Sequence, residues 1–557
     1  MSFYKQLQQT LSDNKLRAKI TLAIILLMFA LLEVRLFTIS HKGMVKNISH
    51  NISKKIQKGK YYFYQNKVKD SFSRLDIEDR NGNSLARNVS IYDFYLTPYK
   101  MIDIKGNIQK LKSIIPITNS RENIILNKLY TKRRIEHANV LIKKNITLQE
   151  KEKLIENGVL GLYFEESEKR VYPYANNALH VVGFVAVDGK GLAGVEKEMD
   201  NYLQTLENKD PLRLSIDINV QNTLREQLLQ KMIQTQSKSA SGIVMNIKTG
   251  EVFAAVSLPD CNPNNITECS AGQLFNHFAL GSYELGSVFK LLLAALTFEE
   301  GFSPYKKYKR EAYKIGKYTI HDIDKKDLKG GEMTIIDIVK HSSNVGCAKI
   351  IEEIGPSKQK SFFEKIGILD KIDLEIPETG RSIFPSKWRL VNAVTISYGH
   401  GIALPPINFA SVMSSILNEY KIKPTIFKNE DNYVFKGERI ISHKAAELLK
   451  DFMREVVTSG AGHYAAVEKY DIGGKSGTAI KQINGLYNKH KMLLSFVAAA
   501  PISDPEYLFF ITLDEPYVTA DNNHLIRAGS ILGPLMANII ASTGPILKIT
   551  TNATKSP

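Results

Sequence analysis

A chain of 557 residues, 43% of them hydrophobic and 24% charged, has room for two or three domains with a sizeable core, which excludes disorder as its general state. Its formal net charge of +17 raises nucleic-acid binding, but the lysines and arginines are spread along the whole length. Neither zinc-finger spacing nor an RNA-binding aromatic motif accompanies them, so the charge is read as a basic surface facing an anionic membrane or polymer, with no nucleic-acid partner.

The first predicted element is apolar. Residues 20–32 are almost free of polar groups, and after Glu33 and Arg35 the run continues to Ile39. About 20 such residues cross a bilayer core of roughly 30 Å, with the charges near one end where they can reach the interface. A cleavable signal peptide is the rival, but Thr38-Ile39-Ser40 is a poor small-x-small site. The expectation is a tail over 1–18 and an uncleaved anchor over 19–39. Lys5, Lys15, Arg17 and Lys19 lie on the N-terminal side of the apolar run 20–32 and Arg35, Lys42, Lys46, Lys54 and Lys55 on its C-terminal side, so charge counting does not fix its orientation.

Residues 40–208 read as a mixed region of short strands and charged loops. Asp79-Arg80-Asn81-Gly82 is a turn after the alternating residues 74–78. A strand is predicted over 181–187, followed by Gly189-Lys190-Gly191-Leu192-Ala193-Gly194 and a helix over 195–206. This is a literal G-x-G-x-x-G between strand and helix, but no train of βαβ units follows, so a tight turn competes with a dinucleotide site.

From Leu212 the character changes. A strand over 212–218 and a helix over 220–232 precede a β-hairpin, 241–246 and 251–256, joined by Lys248-Thr249-Gly250. A helix-rich middle (288–460) leads to strands at 493–500 and 507–513, a last apolar helix over 528–541, and a frayed tail. Strands at both ends with helices between them predict an α+β domain over 209–545, with one antiparallel sheet sandwiched by helices, and a flexible tail over 546–557.

Three cysteines, Cys261, Cys269 and Cys347, are too few for a disulfide scaffold. Cys261 and Cys269 flank a short loop and could pair in an oxidising compartment. Three unpaired thiols is the default expectation, because a core this large has no need of so short a ring.

Chemistry enters with three strings in one order: Ser287-Val288-Phe289-Lys290, Ser342-Ser343-Asn344 and Lys475-Ser476-Gly477-Thr478. They form the S-x-x-K, S-x-N, K-[ST]-G set of enzymes that acylate a serine with a D-alanyl peptide or a β-lactam. S-x-x-K alone is weak, recurring at Ser2/Lys5, Ser12/Lys15, Ser303/Lys306 and Ser357/Lys360; only Ser287 heads an apolar helix.

A serine hydroxyl needs a base beside it, and Lys290, three residues on, shares its helical face. A neutral Lys290 requires burial and a neighbouring cation, for which Lys475 is the candidate. Ser342 can relay a proton to a leaving amine, and Asn344 can orient substrate carbonyls. Lys475-Ser476-Gly477-Thr478 is placed on an edge strand, where a substrate backbone adds by strand pairing and Lys475 and Ser476 meet its terminal carboxylate. The N–H groups of Ser287 and Thr478 form the expected oxyanion hole. No cofactor and no metal are called for. Taken one at a time, each string also fits a plain N-cap or glycine-rich strand.

These strings resemble those of the class B penicillin-binding proteins, specifically the division-specific peptidoglycan D,D-transpeptidases of the FtsI family. The resemblance covers nearly everything after residue 20. It includes Tyr283-Glu284-Leu285-Gly286 before Ser287, Val345-Gly346 after Asn344, Tyr398-Gly399-His400-Gly401, and Gly474 and Ala479 around the third motif. Asp79-Arg80-Asn81-Gly82 and Asp188-Gly189-Lys190-Gly191-Leu192 are similar to strings of the family's non-catalytic pedestal, which makes the glycine-rich string a turn.

The resemblance implies a short cytoplasmic tail, one inner-membrane anchor, and an elongated pedestal and transpeptidase domain on the periplasmic side. It implies septal cross-linking of peptidoglycan stem peptides through a Ser287 acyl-enzyme, with β-lactams as inhibitors. It also implies a lipid-II glycosyltransferase and other division proteins as partners. Ser476 replaces the family's commoner threonine and Leu285 its proline. An elongation-type transpeptidase, a β-lactamase and a catalytically dispensable scaffold are the alternatives.

Overall fold

The computed structural model describes residues 74–205, 210–316, 318–322, 331–430, 437–483, 485–517 and 527–552. The tail and anchor expected over 1–39 lie outside them. In the pedestal, the long strand β2 (Ser84–Leu96) organises a sheet with β1 (Ile77–Glu78), β3 (Val140–Ile146) and β4 (Leu162–Val171), and β1 also pairs in parallel with β7 (Leu212–Arg213). The helices α1 (Ile104–Lys112), α2 (Asn119–Lys132) and α3 (Leu148–Glu156) cover the outer half of this sheet. Their buried residues, among them Ile108, Leu129 and Leu154, join Phe94, Leu96 and Ile142 in a separate small core. At its other end the sheet has no core of its own: Ile77, Leu85 and Ala86 belong to the core of the following domain.

The junction is tied by the Asp79 turn. Asp79 Oδ1 accepts the N–H groups of Asn81 and Asn83 at 2.8 Å each, and its other oxygen accepts the N–H of Ile218 at 3.2 Å. Asp217 caps α4 (Ile218–Gln234) through the N–H of Asn219 at 2.9 Å and takes the Asn81 amide at 2.9 Å. This cap corrects the expected strand over 212–218. Only Leu212–Arg213 is a strand, because Asp217 satisfies the first-turn donors and starts the helix there.

A second correction concerns 181–187. Residues Leu179–Val182 are a helical turn ended by Gly183 at φ +79°, and only Phe184–Val185 (β5) is extended, pairing with β6 (Gly191–Ala193). The glycine-rich string closes this hairpin. A Cβ at Gly191 would lie 1.9 Å from the Glu196 carbonyl oxygen, and the Gly194 N–H donates to the Glu378 carboxylate at 3.1 Å. A carboxylate where a phosphate would sit removes the dinucleotide reading. The predicted helix over 195–206 is broken into Gly194–Glu198 and Asp200–Leu203.

The main sheet has the order β14-β15-β16-β8-β9, all antiparallel: β8 (Ser239–Asn246) and β9 (Val252–Leu258) come early in the domain, β14 (Gly473–Ile483), β15 (Leu486–Ala500) and β16 (Tyr507–Asp514) late. Period-2 alternation divides each strand between two cores. Leu508 and Phe510 face one with α5 (Lys290–Glu299) and α7 (His443–Ser459); Phe509 and Ile511 face the other with α4 and α8 (Ala528–Leu547). The predicted sheet between helices is therefore observed. α8 is long and apolar enough to cross a membrane, yet its Leu532, Met536, Ile539 and Ile540 are buried in the second core, as expected of a core helix. The helix runs to Leu547, and the Asn552 N–H donates to Lys469 at 2.9 Å. Between α5 and α6 (Asn344–Ile354) in the chain lie two small two-stranded sheets, β10 (Lys307–Lys309) with β13 (Glu332–Thr334) and β11 (Tyr313–Ile315) with β12 (Tyr318–Ile320).

Cys261 and Cys269 form a disulfide, which corrects the expectation of three free thiols; only Cys347 is free, and it is buried. The turn Pro263–Glu268 brings the two ends to a Cα separation of 5.8 Å. Inside the ring, Asn264 exchanges two hydrogen bonds with the backbone of Tyr172, at 3.0 and 2.9 Å, and so fastens the loop to the pedestal.

Candidate active site

The nucleophile's position depends on two glycines. Gly286, at φ +64°, opens the 3-10 turn Gly286–Phe289 that runs into α5, and a Cβ there would lie 2.4 Å from the carbonyl oxygen of Thr478. Gly399, at φ +83°, would put a Cβ 2.0 Å from the Gly286 carbonyl oxygen, and its own carbonyl accepts the Gly286 N–H at 3.1 Å. Only glycine permits both approaches. They press the Ser287 turn between β14 and the Tyr398-Gly399-His400-Gly401 segment. Ser495 Oγ completes the contact by donating to the Leu285 carbonyl at 2.8 Å.

Ser287 is partly exposed in the first turn, where backbone N–H groups have no intrahelical acceptor. Lys290, one turn on, is fully buried. Its Nζ donates to the Ser342 carbonyl at 2.5 Å, Ser342 Oγ at 3.0 Å and Asn344 Oδ1 at 2.8 Å. The direct Lys290–Ser287 hydrogen bond expected from helical spacing is absent: the Lys290 amine is drawn instead to Ser342 and Asn344.

Lys475 comes from β14 on the other side. It is 1% exposed, and its Nζ donates to the Ser476 carbonyl at 2.9 Å and to Ser342 Oγ at 3.4 Å. Ser342 Oγ therefore lies between two buried lysines, and among the described residues neither has a carboxylate partner. Burial holds Lys290 below the usual lysine range, and burial followed by the Lys290 charge brings Lys475 down to about 7. At neutral pH this site holds an amine able to accept a proton.

Ser342 sits at φ +59°, a left-handed conformation that costs of order 1–3 kcal/mol for a non-glycine residue. Asp322 holds it there: its carboxylate accepts Ser343 Oγ at 2.6 Å, the Asn344 N–H at 2.6 Å and the Val345 N–H at 3.0 Å. Ser343 caps α6 by accepting the Gly346 N–H at 2.9 Å. Sequence reasoning did not find Asp322. No motif marks it.

β14 is an edge strand, as predicted, with Ser476 buried, Gly477 packed against Leu285 and Val288, and Thr478 partly exposed beside Gly286. The eight residues singled out from the sequence thus converge on one cleft between the Ser287 turn, the Ser342 turn and β14.

The chain is similar to known proteins over both of its described domains. A family profile described as the penicillin binding protein transpeptidase domain matches residues 240–539, and one for the penicillin-binding protein dimerisation domain matches 69–234. The chain is 31% identical over 491 residues to the probable peptidoglycan D,D-transpeptidase FtsI of Caulobacter vibrioides, covering 86% of this chain and 82% of that protein. It is 24% identical to the peptidoglycan D,D-transpeptidase FtsI of Escherichia coli, covering 84% of each. Penicillin binding protein 3 of Mycobacterium tuberculosis, solved with aztreonam, superimposes with a TM-score of 0.66 at 21% identity, covering 86% of this chain and 98% of that one. With these matches, the chain belongs to the class B penicillin-binding proteins of the FtsI family.

Proposed function

We propose that this protein is a septal peptidoglycan D,D-transpeptidase in which Ser287 attacks the penultimate D-alanine carbonyl of a stem peptide. The observation that carries the reading is the pair of buried lysines, without carboxylate partners, converging on Ser342 beside an edge strand. Ser287 Oγ gives its proton to neutral Lys290 through the Ser342 cluster as the C–O bond forms. The oxyanion accepts hydrogen bonds from the Ser287 and Thr478 N–H groups. The C–N bond breaks as Ser342 passes a proton to the departing D-alanine. An amine of a second stem then attacks the ester, forming the cross-link amide and returning the proton to Ser287. Asn344 orients the donor peptide, Ser476 and Lys475 meet its carboxylate, and Gly477 lets its backbone approach β14. A β-lactam follows the first half of this course and remains as the acyl-enzyme.

The domain division proposed is a pedestal over 40–208 and a transpeptidase domain over 209–545. The Cys261–Cys269 disulfide supports an oxidising compartment, hence a periplasmic catalytic domain on an inner-membrane anchor at 19–39. Contacts with a lipid-II glycosyltransferase and other division proteins are assigned to the anchor and pedestal. The test is exposure of the detergent-solubilised full chain to a labelled penicillin, read by mass spectrometry beside Ser287→Ala. A stable adduct on the Ser287 peptide, absent from the variant, is expected. An adduct that turns over rapidly would make the protein a β-lactamase, and no adduct on folded protein would make it a scaffold.

A further inference from the structure

The acyl-transfer scheme gives no task to the basic stretch between α5 and the Ser342 turn. Lys306, Lys307, Lys309, Arg310, Lys314 and Lys317 stand there against Glu311, with tyrosines among them. In this stretch β10, β11 and the outer face of α6 border an open pocket of about 510 Å³. Its acidic groups are already engaged. Glu311 pairs with Lys349 at 3.2 Å, Glu353 with Lys306 and, at 3.0 Å, with the Tyr308 hydroxyl, and Glu352 holds the Tyr313 hydroxyl. Of the cations, Lys307 pairs with Glu332 at 3.3 Å. Lys309 and Lys314 line the pocket, are exposed and, among the described residues, have no acidic partner. Two free ammonium groups with phenol rings in the same wall suit a carboxylate carried on a peptide.

Three connections tie the pocket to the catalytic turn. β10 pairs with β13, which leads through the helix Ile335–Lys340 into Ser342. α6 begins at Asn344. β11 pairs with β12, placing Tyr313 opposite Ile320, and two residues later Asp322 takes Ser343 Oγ and the N–H groups of Asn344 and Val345. One strand spacing, two residues of chain and that hydrogen-bonded contact put Tyr313 within about 20 Å of Asn344, the reach of an extended peptide of about six residues.

The donor stem takes the β14 side of the cleft, which leaves the Ser342 side to the second stem. That stem is itself a peptide and ends in a carboxylate, which must be held elsewhere while its amine meets the Ser287 ester. We propose that this pocket is the acceptor subsite, in which Lys309 and Lys314 receive the terminal carboxylate of the acceptor stem and hold its amine toward the acyl-enzyme. This rests on the transpeptidase reading above. The test uses the full chain in detergent and one donor, a peptide ending in D-Ala-D-Ala whose amines are acetylated. Two acceptor peptides, each with one free amine, differ only in a C-terminal carboxylate or carboxamide. Cross-linked product, read by mass spectrometry, gives the acceptor preference. D-Alanine release without acceptor and penicillin labelling of Ser287 report the donor half-reaction on the same preparation.

The wild-type protein is expected to prefer the carboxylate acceptor by about fivefold, the scale of two exposed ion pairs. In the double variant Lys309→Gln, Lys314→Gln that preference should fall toward one, with D-alanine release and labelling kept. Equal use of both acceptors by the wild type would overturn the proposal, and that measurement needs no variant to fold. So would labelled wild-type protein that uses neither acceptor, a variant that retains the preference, or one that loses both acceptors equally. Failure of penicillin labelling would instead refute the transpeptidase reading itself.

Discussion

Charge is buried in two regions of this molecule, and on opposite terms. In the pedestal, Glu196 is fully buried between Arg170 Nε at 2.7 Å and Arg74 Nη2 at 2.8 Å, and Arg74 also reaches Asp200 at 2.6 Å. Both Glu196 carboxylate oxygens meet a guanidinium. In the cleft, Lys290 and Lys475 are as deeply buried, but among the described residues their amines hydrogen-bond only to hydroxyl and carbonyl oxygens. The first arrangement keeps its charges and fixes a shape; the second sheds a proton and gains a base. Burial alone therefore does not identify function. The presence or absence of the counter-charge does.

Lys290→Met removes a buried amine, so acylation of Ser287 by penicillin should fall by about 10³, within the usual range for loss of a general base, while thermal stability holds or rises. A large loss of stability instead would mean that Lys290 is structural. Glu196→Ala should do the reverse. Leaving Arg74 and Arg170 buried without an acceptor costs about 3–5 kcal/mol in denaturant unfolding, with the acylation rate of the remaining folded protein preserved.

Two smaller effects sharpen the cleft side. Lys475→Gln removes the cation whose repulsion helps keep Lys290 neutral, so the acid limb of acylation should move to higher pH; movement to lower pH would show attraction rather than repulsion between the pair. Asp322→Asn loses the anionic acceptor at the start of α6. It should slow acylation by about tenfold, with partial recovery in Asp322→Glu, while penicillin labelling remains on Ser287.

The three motifs and their order were legible because each pairs a chemical group with a local backbone signal: a serine at the head of an apolar run, a serine-asparagine turn before a helix, glycines on a strand. The hairpin β8–β9, the strands β15 and β16 and α8 were legible from apolar patterning. What was not legible depends on tertiary closure. Gly183 converts an apolar run that scores as strand into a helical end because Ala193 and Gly194 press against its Cα side. Asp217 starts a helix because two N–H groups and Asn81 converge on it. The Cys261–Cys269 bond follows from a turn held by Asn264 against Tyr172, a contact across 92 residues. Asp322 carries no periodic signal. The Lys290 bonding pattern was misread because helical spacing places Lys290 beside Ser287 without showing that Ser342 and Asn344 compete for it.

Acylation by this route requires a neutral lysine in the Ser342 cluster. The most direct test is the second-order rate of Ser287 acylation by penicillin, followed by mass spectrometry from pH 5 to pH 10. Burial lowers both lysines, and the Lys290 charge adds to it at Lys475, which comes down to about 7. The rate should therefore be near its plateau just above neutrality and fall as the pH drops through about 7 and the pair takes up its second proton. A rate that keeps rising toward about pH 10.4, the value of an unperturbed lysine, would show that the cleft does not hold a neutral amine and would contradict the account.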